Sequence, residues 1–246
     1  MVADKSLVLL KGKKREYLVE ASDKKFHTDH GILDLGELRE KTFGDTLMTH
    51  LGYEYDIIKP RAPDFFRHCK RTGAPMMPKD IGIILAYAGL CPEDHVLDAG
   101  TGSGILAIYL GNIAKKVVTY ERNGEFVKIA RKNIEAAGLR NVELRHADIV
   151  SEAPHLKKNF NLITLDMKDA AMVVPHVKKV LKPGGFLATY SPFFEQTEDI
   201  RVAIEREGFS EVQTLECVER NLEFTKRGTR PSTRVAHTGF ITIARL

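Results

Sequence analysis

The sequence lacks any long apolar run. None of its 246 residues falls in a stretch of about 18 or more consecutive apolar residues, the length that a membrane-spanning helix requires. The amino terminus carries charge on both sides of a very short apolar patch, which is not the pattern of a secretion signal. We therefore expect a soluble cytoplasmic protein with no membrane partner.

Cysteine is also scarce. The three cysteines, Cys69, Cys91 and Cys217, are odd in number and far apart in the chain. Their spacing fits neither a disulfide framework nor a metal site, so we expect no bound metal. Buried or free thiols are the simplest interpretation, and a disulfide between subunits is the alternative.

Net charge is modest at +4, yet the basic residues are clustered. The clusters comprise Lys11, Lys13, Lys14 and Arg15; Arg61, Arg67, Lys70 and Arg71; and Lys226, Arg227, Arg230 and Arg234. Any one of them taken alone is better explained as a solvated face. Together they also suit contact with the phosphates of a nucleic acid.

The chain has room for one enzyme-sized domain and a smaller one. Residues 1–58 alternate short β-like runs with glycine and charge, which predicts a small β domain. Prolines punctuate residues 59–77, a predicted linker, and residues 78–246 then alternate strand and helix patterns. This order predicts an α/β catalytic domain with a mainly parallel sheet.

Three local predictions concern the catalytic domain. Asp80 is expected to cap a helix that ends just after Gly89. Residues 182–185, Lys-Pro-Gly-Gly, are expected to form a turn before a strand at 186–190. The β-rich segments 212–224 and 235–246 are expected to close the chain as an antiparallel hairpin.

The most informative segment is 95–104, HVLDAGTGSG, in which a strand enters a glycine turn and then a helix. Such a turn lets a nucleotide-like ligand approach the backbone closely. The dinucleotide fingerprint G-x-G-x-x-G would place its third glycine at position 105, which is Ile105, so the pattern disfavours hydride transfer. It is similar to the first motif of S-adenosylmethionine (SAM) methyltransferases. The predicted contacts from this segment are Asp98, Gly100, Gly102, Ser103, Gly104, Ile105 and Leu106.

Acidic residues end successive predicted strands. Asp98 suits the ammonium group of SAM, Glu121 suits the ribose diol, and Asp148 suits the adenine amino group. Each alone could be an ordinary strand-end acid, but the carboxyl ends of parallel strands meet in one crevice. Asp166 ends the fourth core strand, where the transferable methyl would lie. It is therefore the candidate catalytic residue and a candidate cofactor contact, with a helix-capping role as the alternative.

Over nearly its whole length the chain resembles the tRNA (adenine-N1)-methyltransferases of the TrmI type. The resemblance rests on the segment GILDLGEL in the small β domain, Pro78-Lys79-Asp80, Tyr190-Ser191-Pro192, and above all the tail Arg230-Pro231, Arg234 and His237-Thr238-Gly239-Phe240. It implies a Rossmann-like, seven-stranded class I methyltransferase core.

The same resemblance implies a SAM-dependent enzyme, usually a homotetramer, that methylates N1 of an adenine in the T-loop of tRNA. Asp166 would accept a hydrogen bond from the adenine N6 amino group and compensate the charge that develops on methylation. Candidate tRNA contacts are Met77, Tyr190, Arg230, Arg234 and His237, the last with a structural role as the alternative.

The chain departs from the family pattern at two places. Ala74 and Met77 stand where the family usually has a glutamine and a tyrosine, and Met167-Lys168-Asp169-Ala170 replaces a segment that usually holds proline and tryptophan. Other functions therefore stay open. They are methylation of a small molecule, methylation of a protein carboxyl group, and a non-catalytic RNA-binding subunit.

Overall fold

The computed structural model describes residues 1–157, 159–234 and 236–246. Its contacts group these residues into two compact units, Met1–Lys70 with Lys132–Arg140, and Arg71–Arg131 with Asn141–Leu246. The first unit continues to Lys70, within the segment predicted as a linker, and the domain boundaries after residues 58 and 77 stay a prediction. Among the described residues, no helix is long and apolar enough to cross a membrane.

Antiparallel strands build the first unit. They are β1 Leu7–Lys11, β2 Glu16–Glu20, β3 Lys25–Thr28, β4 Gly31–Asp34, β5 Thr46–Met48 and β6 Glu54–Ile58, with a 3₁₀ helix at Leu35–Glu40 and helix α1 at Ala62–His68. Four strands form a sheet in the order β2-β1-β6-β5, and β3 pairs with β4. Val8, Leu10 and Ile57 are fully buried in its core. Strand alternation thus places one apolar face of this sheet inward.

The second unit is an α/β sandwich. Its helices are α2 Pro78–Ala88, α3 Ile105–Gly111, α4 Gly124–Ala136, which extends beyond this unit, α5 Ile149–Glu152, α6 Ala170–Val180 and α7 Phe194–Arg206, with a 3₁₀ turn at Ala153–His155. Its strands are β7 His95–Ala99, β8 Lys116–Glu121, β9 Val142–His146, β10 Phe160–Leu165, β11 Leu181–Ser191, β12 Ser210–Glu216, β13 Leu222–Thr225, β14 Gly228–Pro231 and β15 Phe240–Arg245.

Seven strands form its central sheet in the order β12-β15-β11-β10-β7-β8-β9. Strands β7 to β11 run parallel, whereas β15 is antiparallel to both β11 and β12. The predicted α/β class with a mainly parallel, seven-stranded sheet is confirmed. Because the parallel strands end at one edge, the loops after β7, β8, β9 and β10 come together there.

Two of the local predictions are wrong in detail. Met77 occupies the N-cap of α2, and Asp80 lies fully buried in its first turn instead of capping it. The segment Lys182–Gly185 lies within β11 instead of forming a turn before it, at the point where the register of β11 against β10 shifts and Gly184 has φ +75°. Gly89 does end α2, in the left-handed conformation that favours glycine.

The predicted closing hairpin is right in its antiparallel pairing, which joins β12 and β15, and wrong in its connection. An additional hairpin, β13–β14, is inserted between them, so the two segments are not joined by a simple turn. Val235, the first residue of the predicted last segment, lies outside the described residues. The glycine at 228 and the polar residues around it explain the extra reversal of the chain.

Candidate cofactor and active site

The glycine turn after β7 is held against its neighbouring strands by backbone contacts. The N–H groups of Gly100 and Thr101 both donate to the carbonyl of Tyr120, at 3.0 and 3.2 Å. Gly100 has φ +87°, and a Cβ there would lie 1.9 Å from the carbonyl oxygen of Asp166. Only glycine allows this approach, so Gly100 joins the turn to the strand end that carries the candidate catalytic residue.

Gly102 has a different environment. It also has a positive φ, +54°, but a Cβ built there meets no heavy atom nearer than 3.6 Å. The turn is therefore open at Gly102, where a bound ligand can reach the backbone. This is the close approach that the glycine spacing predicts for a nucleoside cofactor.

Glu121 connects the end of β8 to this turn. Its side chain is buried, with Oε2 accepting from the N–H of Gly102 at 2.9 Å and Oε1 accepting from the N–H of Asn123 at 2.8 Å. A carboxylate offers about four acceptor sites, so two hydrogen bonds leave capacity for a ribose diol. Glu121 also lines the cavity described below, as its predicted role requires.

Asp98 does not line that cavity, and its predicted contact with the cofactor ammonium does not agree with the geometry. The carboxylate is buried between two neighbouring strands, where Oδ2 accepts from Thr119 and Oδ1 from Thr164, both at 2.6 Å. Burial raises the pKa of this carboxyl, and the two hydroxyl donors oppose that effect. Asp98 thus supports the turn from behind the cavity wall.

Asp148 does line the cavity, at the end of β9. Its Oδ1 accepts from the N–H of Val150 and caps α5, so the structural and the binding interpretations apply to the same carboxylate. Sequence reasoning missed its neighbour Arg122, which also lines the cavity. The Arg122 guanidinium lies 3.8 Å from Asp148 and 3.0 Å from Asp169, and its position directly after Glu121 was the available signal.

Asp166 lies at the end of β10, half-buried in the cavity wall. Its own N–H donates to the carbonyl of Ala99, which fixes its backbone beside the glycine turn. Burial raises the pKa of Asp166 to about 7, and the charge of nearby Asp98 adds to this effect. A carboxylate whose pKa is perturbed inside a cleft is typical of functional sites.

These residues surround a cavity of about 270 Å³. Of the predicted cofactor contacts, those that line it are Gly100, Gly102, Ser103, Ile105, Leu106, Glu121, Asp148 and Asp166. Gly104 is not among the lining residues and instead serves as the N-cap of α3. The segment Thr72–Met76 forms another wall, which sequence analysis placed in the linker.

The cavity fits the chemistry of SAM. Phe126 and Ile149 offer apolar surface for the adenine ring, and Asp148 offers an acceptor for its amino group. Glu121 suits the ribose, and the open backbone at Gly102 leaves space against the turn. Pockets for cofactors combine such apolar walls with a few convergent polar groups.

The predicted tRNA contacts do not form one cluster. Tyr190 does not line the cavity, but it lies on the strand next to the candidate catalytic residue, because Leu165 at the end of β10 pairs with Thr189 of β11, and Asp166 and Tyr190 are the residues that follow. Met77 follows the cavity-lining Met76. Arg230 and Arg234 are exposed and do not line the cavity, and Arg230 pairs with Glu223 at 3.3 Å.

His237 has two acceptor partners. Its Nδ1 lies 2.7 Å from Oε1 of Glu216, and its Nε2 lies 2.9 Å from the carbonyl oxygen of Pro192. Both ring nitrogens must carry a proton to satisfy both oxygens, which only the imidazolium form does. The hydrogen bond with Glu216, then that with Pro192, accordingly raises the pKa of His237. These contacts favour a structural role for His237 over a contact with tRNA.

The sheet order, the glycine turn and the acidic strand ends define a class I SAM-dependent methyltransferase. Residues 69–233 match the family described as tRNA methyltransferase complex GCD14 subunit. The chain is 36% identical to the tRNA (adenine(57)-N(1)/adenine(58)-N(1))-methyltransferase TrmI of Methanocaldococcus jannaschii, over 100% of this chain and 96% of that one. It therefore belongs to this family of tRNA methyltransferases, as the motifs predict.

Other relatives agree with this assignment. A tRNA (adenine(58)-N(1))-methyltransferase TrmI of Thermus thermophilus is 31% identical, over 97% of this chain and 96% of its own. Among solved structures, a SAM-dependent O-methyltransferase of Thermotoga maritima has a TM-score of 0.87 at 29% identity, covering 99% of this chain and 94% of that one. The Aquifex aeolicus TrmI structure has a TM-score of 0.79 at 24% identity over 99% and 98% of the two chains, which supports the fold.

Proposed function

We propose that this protein transfers the methyl group of SAM to N1 of an adenine in the T-loop of tRNA. One observation carries the proposal, namely the position of Asp166 on the cavity wall beside the glycine turn that it contacts through its backbone. The family supplies the substrate class, since full-length relatives are tRNA (adenine-N1)-methyltransferases.

Bound SAM would supply a methyl group on a positively charged sulfur. Glu121, the glycine turn and Asp148 would hold it in the cavity that Asp166 also lines. The N1 lone pair forms the new C–N bond while the C–S bond breaks and its electrons remain on sulfur, so no proton has to leave N1. The products are S-adenosylhomocysteine and a 1-methyladenosine that carries a positive charge.

The protein's contribution is to orient the base and stabilise this charge. Asp166 as a carboxylate accepts a hydrogen bond from the adenine N6 amino group, which raises electron density at N1 and offsets the charge that develops there. Alignment of N1 with the methyl group would supply most of the remaining rate gain. The base must leave its stack in the folded tRNA, at a cost of a few kcal/mol. Arg230 and Arg234, which are exposed, would contribute phosphate contacts that offset this cost.

The test is direct product identification. Purified protein is incubated with labelled SAM and unmodified tRNA transcripts, and the RNA is digested to nucleosides for mass spectrometry. We expect labelled 1-methyladenosine, and none with Asp166→Ala. Transcripts with guanosine at position 57 or at position 58, the two adenines in the name of the Methanocaldococcus jannaschii relative, identify the nucleotide. SAM binding without any methylated nucleoside would indicate a different substrate, and failure to bind SAM would support a non-catalytic RNA-binding subunit.

The homotetramer implied by the family resemblance is proposed on the same basis. Light scattering of the purified protein, with and without tRNA, measures the subunit number. A monomer under all conditions would contradict it without affecting the proposed chemistry.

A further inference from the structure

Two sequence motifs far apart in the chain meet at one buried point. Lys79, at the start of α2, directs its ammonium at three oxygens: Oδ1 of Asp80 at 2.7 Å, Oγ1 of Thr238 at 2.7 Å and the carbonyl of Cys217 at 2.6 Å. An ammonium has three N–H donors, so every one of them has an acceptor. The Pro-Lys-Asp and His-Thr-Gly segments are thereby joined.

Asp80 completes this network. It is fully buried, and while Oδ1 accepts from Lys79, Oδ2 accepts from the Thr238 hydroxyl at 2.8 Å. Thr238 therefore donates to one charged group and accepts from the other. A buried network in which each member is satisfied is rigid and defines one geometry.

The next residue, Gly239, brings this network against Tyr190. A Cβ at Gly239 would lie 2.5 to 2.7 Å from Cζ, Cε2 and the hydroxyl oxygen of the Tyr190 ring. Any side chain at 239 would force the ring to move. The ring is thus located by the same segment that Lys79 and Asp80 hold through Thr238.

We propose that Lys79, Asp80 and Thr238 are positioning residues that hold the Tyr190 hydroxyl beside Asp166, where the target adenine is to be aligned. The inference rests on the proposed function, because it assigns Tyr190 to the base side of Asp166. Burial raises the pKa of Tyr190 to about 12; a hydrogen bond with Thr238 opposes the rise, and the charges of Asp80 and Asp166 add to it. The hydroxyl consequently stays protonated at neutral pH.

The informative variant is Thr238→Val, which removes the hydroxyl but leaves the buried Lys79–Asp80 pair together. Removing either charge would strand the other and threaten folding. We expect Thr238→Val to lower kcat about tenfold, as for a lost hydrogen bond to a charged group, with the KM values for SAM and tRNA within about twofold. Thr238→Ser, which keeps the hydroxyl, should retain wild-type kcat.

A double-mutant cycle separates positioning from general destabilisation. In a Tyr190→Phe background, Thr238→Val should cause no further loss, because its effect acts through the missing hydroxyl. Thr242→Val is the matched control; it removes another buried threonine hydroxyl, one that contacts Thr214 and not this network, and should leave kcat unchanged. A kcat equal to wild type in Thr238→Val, or an equal loss in both backgrounds, would overturn the proposal.

A second measurement does not depend on activity. In protein labelled with ¹³C at the tyrosine Cζ, the Tyr190 signal is assigned by its loss in Tyr190→Phe. We expect Thr238→Val to shift that signal and Thr242→Val to leave it unchanged; an unshifted signal would refute the network's hold on Tyr190. If the wild-type enzyme yields no 1-methyladenosine, the proposed function fails, and this signal alone decides the structural claim.

Discussion

Replacing Asp166 with asparagine should stabilise the protein while it lowers turnover by about two to three orders of magnitude. The folded state raises the pKa of Asp166 from 3.8 to about 7, so it binds the proton more tightly than the unfolded chain does. Between these two values the folded state therefore holds more protons. Its free energy of unfolding must fall as pH rises through this window.

The magnitude follows from the pKa difference. The interval from 3.8 to about 7 corresponds to an upper limit of about 4 kcal/mol. Because the side chain is only half-buried, solvent screening reduces this, and we take about 2 kcal/mol. For a chain of 246 residues, that is a rise in Tm of roughly 4 to 8 °C for Asp166→Asn at pH 8, and little change near pH 4.

Thermal unfolding across this pH range measures the effect. The sequence contains no tryptophan, so circular dichroism is a better probe than intrinsic fluorescence. Asp169→Asn is the matched control: this neighbouring carboxylate faces Arg122, and removing its charge should give no gain at high pH. A stability difference between wild type and Asp166→Asn that does not change with pH, or a less stable Asp166→Asn at pH 8, would refute the reasoning.

The activity of the same variant should change in the opposite direction. Loss of the charge that faces the developing positive charge is expected to lower kcat about 10²- to 10³-fold. In the wild type, kcat/KM for tRNA should rise with pH toward about 7, because only the ionised Asp166 compensates that charge. A rate that is flat from pH 5.5 to 8 would contradict the assigned role.

Three further predictions concern the turn and the tail. Gly102→Ala should fold, with a loss of about 1 kcal/mol in the free energy of unfolding, but should bind SAM more weakly in calorimetry. Gly100→Ala should fail to fold, because its Cβ would collide with the backbone of Asp166. Comparable stability of the two variants would contradict this difference. Glu121→Gln should raise the Kd for SAM about 10- to 100-fold, since one side-chain oxygen must replace two; an unchanged Kd would exclude its ribose contact. His237→Gln should destabilise the protein more at pH 5.5 than at pH 8.5. The pKa of His237 is raised in the folded state, so its contribution to stability is present below the unfolded-state pKa and is lost as pH rises through the folded-state pKa. Equal destabilisation at both pH values would show that the imidazolium does not stabilise the fold.

Much of the fold was predictable because it depends on local pattern. Alternating strand and helix periodicities indicated the parallel sheet, and Gly89 marked the end of α2. The extra hairpin β13–β14 was not predicted because most of β13 falls inside the segment 212–224, which the pattern presents as one β-rich run, and because β14, with the sequence GTRP, is exposed and carries no apolar alternation. Asp80 was misassigned because an acidic residue near a helix start has the same sequence signature whether it caps or is buried.

The candidate site shows the same division. Sequence places Glu121, Asp148 and Asp166 at the right strand ends, since strand order alone brings them to one edge. It does not show which way a side chain points, and Asp98 pairs in register with Thr119 on one side and Thr164 on the other. Those registers, which decide that Asp98 is enclosed by hydroxyl groups, depend on contacts between distant parts of the chain.

The contact between Thr238 and Asp80 spans 158 positions, so no local pattern predicts it. The two glycines of the turn illustrate a further limit, because a repeated residue type does not imply a repeated role. Gly100 must be glycine because the backbone of Asp166 lies against it, so this position is constrained by folding. Gly102 faces open space, and its lack of a side chain serves the ligand. A motif therefore combines constraints of stability and of binding, and only the atoms that a Cβ would meet distinguish them.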